Sequence, residues 1–115
     1  MALEVVTINL EEGRPTGDAA LRRLVSEMAR YRAYGAKALK LIHGYGSSGT
    51  GGVLRTVIRK ELERMKATGK IKLYVPGEHF EIFSPDTLKM LDACNSLRSD
   101  KDLGRFNNGI TIVLL

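Results

Sequence analysis

The residues with the most chemistry to offer lie between Leu39 and Leu54, in the stretch Leu-Lys-Leu-Ile-His43-Gly44-Tyr-Gly46-Ser-Ser-Gly49-Thr-Gly51-Gly52-Val-Leu. Five glycines fall within nine residues. An ordered glycine costs backbone entropy, so this density points to a tight turn that lets a ligand approach the main chain. Apolar residues precede the turn and a helical apolar pattern follows it. Exposed amide N–H groups there sit where the next helix presents its positive dipole end, an arrangement suited to an anion such as phosphate. The plain alternative is a surface loop. His43 stands at the strand side of the turn, where ligands of α/β sheets bind. As imidazolium it would pair with a phosphate, and as neutral imidazole it would act as a general base. The alternative is a structural histidine bonded to the loop backbone.

Gly44-Tyr45-Gly46-Ser47-Ser48-Gly49 has the G-x-G-x-x-G spacing of a dinucleotide-binding turn. A chain of 115 residues is too short for both mononucleotide halves of that fold, and the glycines run on to Gly52. As a phosphate-cradling Walker A loop the stretch fits less well. Gly46 and Gly51 are correctly spaced, but Gly52 and Val53 stand where Lys and Ser/Thr are needed. His43 and His79 lack metal-ligand spacing, and His79 reads as structural or exposed. Glu11 and Glu12 are adjacent acids able to hold a divalent metal, or simply solvated. No cofactor or metal is expected.

The elements that must position this loop follow from periodicity. Leu3 to Leu10 is a strand candidate rich in β-branched residues. Residues 11–18 form a loop, with Thr16 or Asp18 able to cap a helix from Asp18 to about Tyr34. Leu21, Leu24, Val25 and Met28 give that helix an apolar stripe, and Gly35 closes it. Ala36 to Ile42 is the second strand. The second helix, from about Gly52 to Lys66, buries Leu54, Val57, Ile58, Leu62 and Met65. Arg55 and Arg59 sit one turn apart on another face, near the glycine-rich end, and Lys60 and Arg64 repeat the spacing. Like charges so placed repel slightly, which suggests a face turned toward phosphate; solubility is the alternative. Ile71 to Val75 is the third strand, and His79 to Phe83 reads as a hairpin strand. Ser84-Pro85-Asp86 starts a short helix. Ser99 to Phe106 is a loop, and Ile110 to Leu115 is a strand apolar enough to be buried on both faces. The expected fold is a small two-layer α/β sandwich with a mixed sheet, in the order β-α-β-α-β-(β)-α-β.

Composition narrows the function classes. The net charge is +5, the pI about 9.6 and the apolar content 43%. A basic domain tends to attract polyanions. No apolar run approaches the roughly 18 residues of a membrane span. The start of the chain lacks a secretory-signal pattern. Cys94 is the single cysteine, which excludes an internal disulfide and fits a small core residue in a cytoplasmic setting.

Ile42-His43-Gly44-Tyr45-Gly46, the glycine turn and Val53-Leu54-Arg55-Thr56-Val57-Ile58 resemble the His-Gly-x-Gly motif and second helix of the Smr (small MutS-related) domain. Gly109-Ile-Thr-Ile-Val-Leu-Leu is similar to that domain's closing strand. The resemblance covers most of residues 5 to 75 and then 108 to 115, as a single domain with an insertion at 76–107. It implies a fold similar to the C-terminal domain of bacterial translation initiation factor three. It also implies nucleic-acid binding, in several members cleavage of RNA or DNA, and a protein partner or the ribosome. The family's first strand carries Leu-Asp-x-His-Gly, tied to nuclease activity. Here the stretch is Ile8-Asn9-Leu10-Glu11-Glu12, so Asn9 replaces the aspartate and Glu11 the histidine. Losing a proton-transfer group typically costs about 10² to 10⁴ in rate, which favours binding over cleavage.

Four readings therefore stand. The first is a domain that grips phosphates of RNA or structured DNA through His43, Gly44, Gly46, Gly49, Gly51, Gly52, Arg55 and Arg59. The second is an endonuclease with His43 as general acid or base. The third is a nucleotide or dinucleotide binder. The fourth is a protein-interaction module that uses residues 76–107.

Overall fold

β-Branched and apolar residues form four strands: β1 (Val5–Asn9), β2 (Ala38–Ile42), β3 (Leu73–Pro76) and β4 (Ile110–Leu114). The structure is a computed structural model that describes residues 4–45 and 50–115, with the backbone alone at 50 and 51. The strands lie in the order β1-β2-β4-β3. β1 and β2 are parallel, with Val5 opposite Ala38 and Asn9 opposite Ile42. β4 runs antiparallel to both β2 and β3. β1, β2 and β3 therefore all end at the same edge of the sheet. Three helices are interspersed, α1 (Gly17–Ala33), α2 (Thr50–Ala67) and α3 (Pro85–Ala93). Because α1 follows β1 and α2 follows β2, both begin at that edge.

Alternation of side chains along the strands sends two sets of residues to opposite faces. Val6, Ile8, Leu39, Leu41 and Val113 pack with Ala20, Leu24 and Met28 of α1 and Leu54, Ile58, Leu62 and Met65 of α2. Ala38, Leu73, Val75, Ile110, Ile112 and Leu114 pack with Phe80, Met90, Leu91, Cys94 and Leu97 on the other side. Each buried Val, Leu, Ile, Met or Phe side chain among these contributes about 1.5–3 kcal/mol. All five residues of β4 are buried, as its apolar run implies.

Several expectations need correcting. The sheet is covered on both faces, so there are three layers rather than two. The third layer is residues 76–107: a 3₁₀ turn at Gly77–His79, α3, and a second 3₁₀ turn at Asn95–Ser99. The expected hairpin strand at 79–83 does not form. Phe80 instead drops wholly into the core, and the Thr87 hydroxyl donates to the His79 carbonyl at 2.8 Å, tying the turn to α3. In α1 the buried stripe is Ala20, Leu24 and Met28, while Val25 is 51% exposed. The helix is rotated from the expected stripe because α2 packs beside it and the small Ala20 permits close approach. Thr16 is its cap, accepting from the Ala19 amide at 3.2 Å. Leu88 of α3 is 45% exposed, while Met90 and Leu91 beside it are buried.

The third layer reaches only the start of β1, where Val5 packs against it. Val6 and Ile8 are buried against the helices, while Thr7 and Asn9 on the opposite face of β1 are exposed. The edge strand is thus left as an open shelf beside residues 100–109.

Candidate nucleic-acid interface

The shared strand ends bring three segments together: residues 9–12 at the end of β1 and beyond, 43–45 after β2 and 107–109 before β4. The backbone ties them. The amides of His43 and Gly44 both donate to the Gly109 carbonyl at 3.0 Å, and the Leu10 amide donates to the Ile42 carbonyl at 2.8 Å. Asn9 Oδ1 accepts from the Glu11 amide at 3.0 Å and bends the chain there. Gly44 has φ +79°, and a Cβ at this position would lie 2.8 Å from Glu11 Oε1. The left-handed backbone favours glycine here, and the end of the Glu11 side chain lies over it. Glu11 therefore points toward the loop after β2, a direction that the register of β1 decides and that spacing alone leaves open.

His43 is fully buried. Its Nδ1 lies 2.8 Å from the Gly44 carbonyl and its Nε2 2.8 Å from Thr111 Oγ1. A carbonyl only accepts, so Nδ1 carries the hydrogen and Nε2 accepts from the Thr111 hydroxyl. Thr111 Oγ1 in turn accepts from Arg59 Nε at 3.1 Å. The guanidinium of Arg59 donates twice more to Glu78, at 2.8 and 2.7 Å, and to the Ile110 carbonyl at 3.1 Å. Arg59 thus donates both to Glu78 and to Thr111, and from Thr111 donation runs on to His43 and from His43 to the Gly44 carbonyl. Burial pushes the imidazole down to about 4, and the nearby cations of Arg59 and Arg55 act in the same sense. His43 is neutral at physiological pH. Burial works against ionisation of Glu78, but the Arg59 fork outweighs it and keeps the carboxyl below its usual range.

The expected site residues thus separate. His43 and Arg59 are brought together, but as internal partners that fasten β4 to β2 and α2. Neither is presented as a phosphate clamp. Gly44 lies at the edge. Gly46 and Gly49 lie outside the described residues. Gly51 and Gly52 belong to the first turn of α2, which contains no acidic residue. The first amides of a helix have no partner within it. Arg55 follows, half-buried and close enough to His43 to act on its charge, and among the described residues it makes no ion pair. His79 is exposed. Among the described residues no three His, Cys, Asp or Glu side chains gather as metal ligands, Glu11 and Glu12 included. No helix there is long and apolar enough to cross a membrane.

Beside this edge, on the open shelf of β1, is a cleft of about 410 Å³. Thr7, Lys40, Ile42 and Ile110 line it on the strands, Lys101, Asp102 and Asn107 on the flanking segment, and Glu11, Gly44 and Tyr45 at the strand ends. Lys40 is the group that sequence reasoning passed over. It is only 6% exposed, and its Nζ lies 2.9 Å from Asp100 Oδ1 and 2.5 Å from Asp102 Oδ2. Burial opposes the ammonium charge, but the hydrogen bonds it donates to Asp102 and Asp100 outweigh it and hold Lys40 above its ordinary range. Asp102, also partly desolvated, is held below its ordinary range by Lys40 and by the Asn107 amide. The triad fastens residues 100–107 to the centre of the sheet. The available signal was a single charged residue between Leu39 and Leu41 in an otherwise apolar strand.

Comparison with family models, with curated proteins and with solved structures finds no match to this chain.

Proposed function

We propose that this chain is an Smr-like nucleic-acid-binding domain, similar in fold to the C-terminal domain of translation initiation factor three, that grips phosphates of RNA or structured DNA. The observation that carries the reading is the convergence at one sheet edge of the acid-free first turn of α2 and the half-buried Arg55. Helix N-termini favour anions, and Arg offers a planar fork that matches phosphate. The net charge of +5 adds a long-range attraction for polyanions. The working contacts are the amides at the start of α2 and Arg55; His43 and Arg59 hold this edge in shape, and the Gly44 amide is taken by the Gly109 carbonyl.

The state of His43 supports binding without cleavage. A buried imidazole with both nitrogens engaged, and a proton lost far below neutrality, is a poor general acid or base. No cofactor is needed for this function. The test is amide mapping by protein NMR with a structured RNA. Shifts are expected at Gly44, Tyr45, Gly52 to Arg55, and Gly109. Shifts confined to the outer faces of α1 and α3 would overturn the reading.

A further inference from the structure

We propose that the cleft over β1 is a base-reading pocket that takes one unpaired guanine from the nucleic acid held at the neighbouring edge. The inference rests on the reading above and adds to it a source of sequence preference that phosphate contacts alone do not supply. The volume of about 410 Å³ lies within the about 300–1,000 Å³ typical of small-molecule sites.

The polar groups of the cleft fall into two sets. Lys40 is consumed by Asp100 and Asp102. Asp102 also accepts from Asn107 Nδ2 at 3.2 Å, and Asn107 Oδ1 accepts from the Gly109 amide at 2.9 Å. These groups form a closed wall. The second set makes no hydrogen bond or ion pair through its side chains among the described residues: the Glu11 carboxylate, the Thr7 hydroxyl, the Lys101 ammonium and the Tyr45 hydroxyl. Tyr45 is 56% exposed, and its ring is seated against Gly109, where an added Cβ would lie 3.1 Å from Tyr45 Cδ1. The rest of the ring is open to solvent beside the cleft.

A carboxylate next to an exposed aromatic ring selects a flat ligand with two adjacent N–H donors. Guanine presents such a pair on its Watson–Crick edge, at N1 and the exocyclic N2. Adenine and cytosine place a ring-nitrogen acceptor beside their amino group, which faces the second carboxylate oxygen unfavourably. Uracil offers one N–H between two carbonyls. Unpaired bases are characteristically stacked on aromatic side chains and read on this edge. Lys101 at the wall is placed to meet the phosphate that such a nucleotide carries. A cationic peptide would satisfy Glu11 as well, but it would be opposed by Lys101 and by the +5 charge of the chain.

The experiment compares two RNA hairpins that differ only in one unpaired loop base, G or A. Fluorescence anisotropy is measured with wild type, Glu11→Gln and Tyr45→Ala. Wild type is expected to bind the G hairpin about tenfold more tightly, the discrimination a bidentate pair provides. Glu11→Gln abolishes the difference without weakening the A hairpin, since it removes a negative charge. Tyr45→Ala weakens the G hairpin. Equal affinities in wild type would overturn the pocket and leave the phosphate grip standing. If neither hairpin binds at low salt, the phosphate grip falls, and protein NMR with GMP and AMP decides the cleft alone. Amide shifts at Thr7, Glu11 and Gly44 with GMP and not AMP would keep it, and their absence would overturn it. Shifts produced there by N-acetylargininamide but not by GMP would assign the cleft to cationic peptides and overturn the guanine assignment.

Discussion

The buried imidazole of His43 makes stability depend on pH in a way that can be isolated. In the unfolded chain a histidine takes up its proton near 6.5, whereas in the fold His43 does so only at about 4. Between these values the unfolded chain holds more protons, so stability falls as pH falls through this window and is regained as it rises. The integrated loss from about pH 7 to about pH 4.5 is roughly 2.5 kcal/mol, at about 1.4 kcal/mol per pKa unit. Other carboxylates titrate at the lower end, so the comparison is with His43→Gln, which keeps an acceptor for Thr111 and removes the titration. Urea unfolding followed by circular dichroism at both pH values gives the stability of each protein. The wild type is expected to be the more stable near neutrality. Its advantage should shrink by roughly 2.5 kcal/mol at the lower pH. A constant gap would refute the reasoning, as would an imidazole that titrates near 6.5 by NMR in the folded protein.

Two further perturbations probe the third layer. Lys40→Met leaves Asp100 and Asp102 facing each other without their cation and should cost about 3–5 kcal/mol in a chemical melt. Adding Asp100→Asn and Asp102→Asn should recover most of that loss, and a Lys40→Met loss under about 1 kcal/mol would contradict a buried triad. Gly77→Ala places a Cβ 1.9 Å from the Asn107 carbonyl oxygen and 2.5 Å from Ile110 Cγ1. Asn107 leads into β4 and Ile110 opens it, so the variant should lose several kcal/mol of stability, on the order of the largest core substitutions. An unchanged thermal melt would show that the 77–80 turn is not packed as described.

Much of the fold was legible in the sequence. The alternating strand and helix signals place β1, α1, β2, α2 and β4 within a few residues of where they form, because each is a strongly periodic or β-branched run. The third layer was harder to read. The segment 76–107 has an untidy apolar pattern, since Phe80, Met90, Leu91 and Leu97 are gathered from two 3₁₀ turns and one short helix rather than from one stripe. The candidate site was legible as a sheet edge but not as a set of side-chain partners. His43 and Arg59 had the residue types of a phosphate grip. Their actual partners, Thr111 and Glu78, lie 68 and 19 residues further along the chain, and no local spacing reports them. Arg55 and Arg59 looked equivalent at i and i+4, yet Arg59 turns inward to Glu78 while Arg55 does not. Glu11 was visible only as a departure from a motif; its packing over Gly44 depends on β1 register and a positive φ. Lys40 shows the converse case, a charge in an apolar run whose partners sit in a polar loop sixty residues away.

Phosphate gripping at the β2–α2 edge is tested most directly by the salt dependence of binding to a structured RNA, for wild type and Arg55→Ala. The logarithm of affinity should fall linearly with the logarithm of salt concentration, and the slope should be smaller by about 1 in the variant, corresponding to one lost phosphate contact. Identical slopes in the two proteins, or no binding at low salt, would contradict the assignment of this edge to nucleic acid.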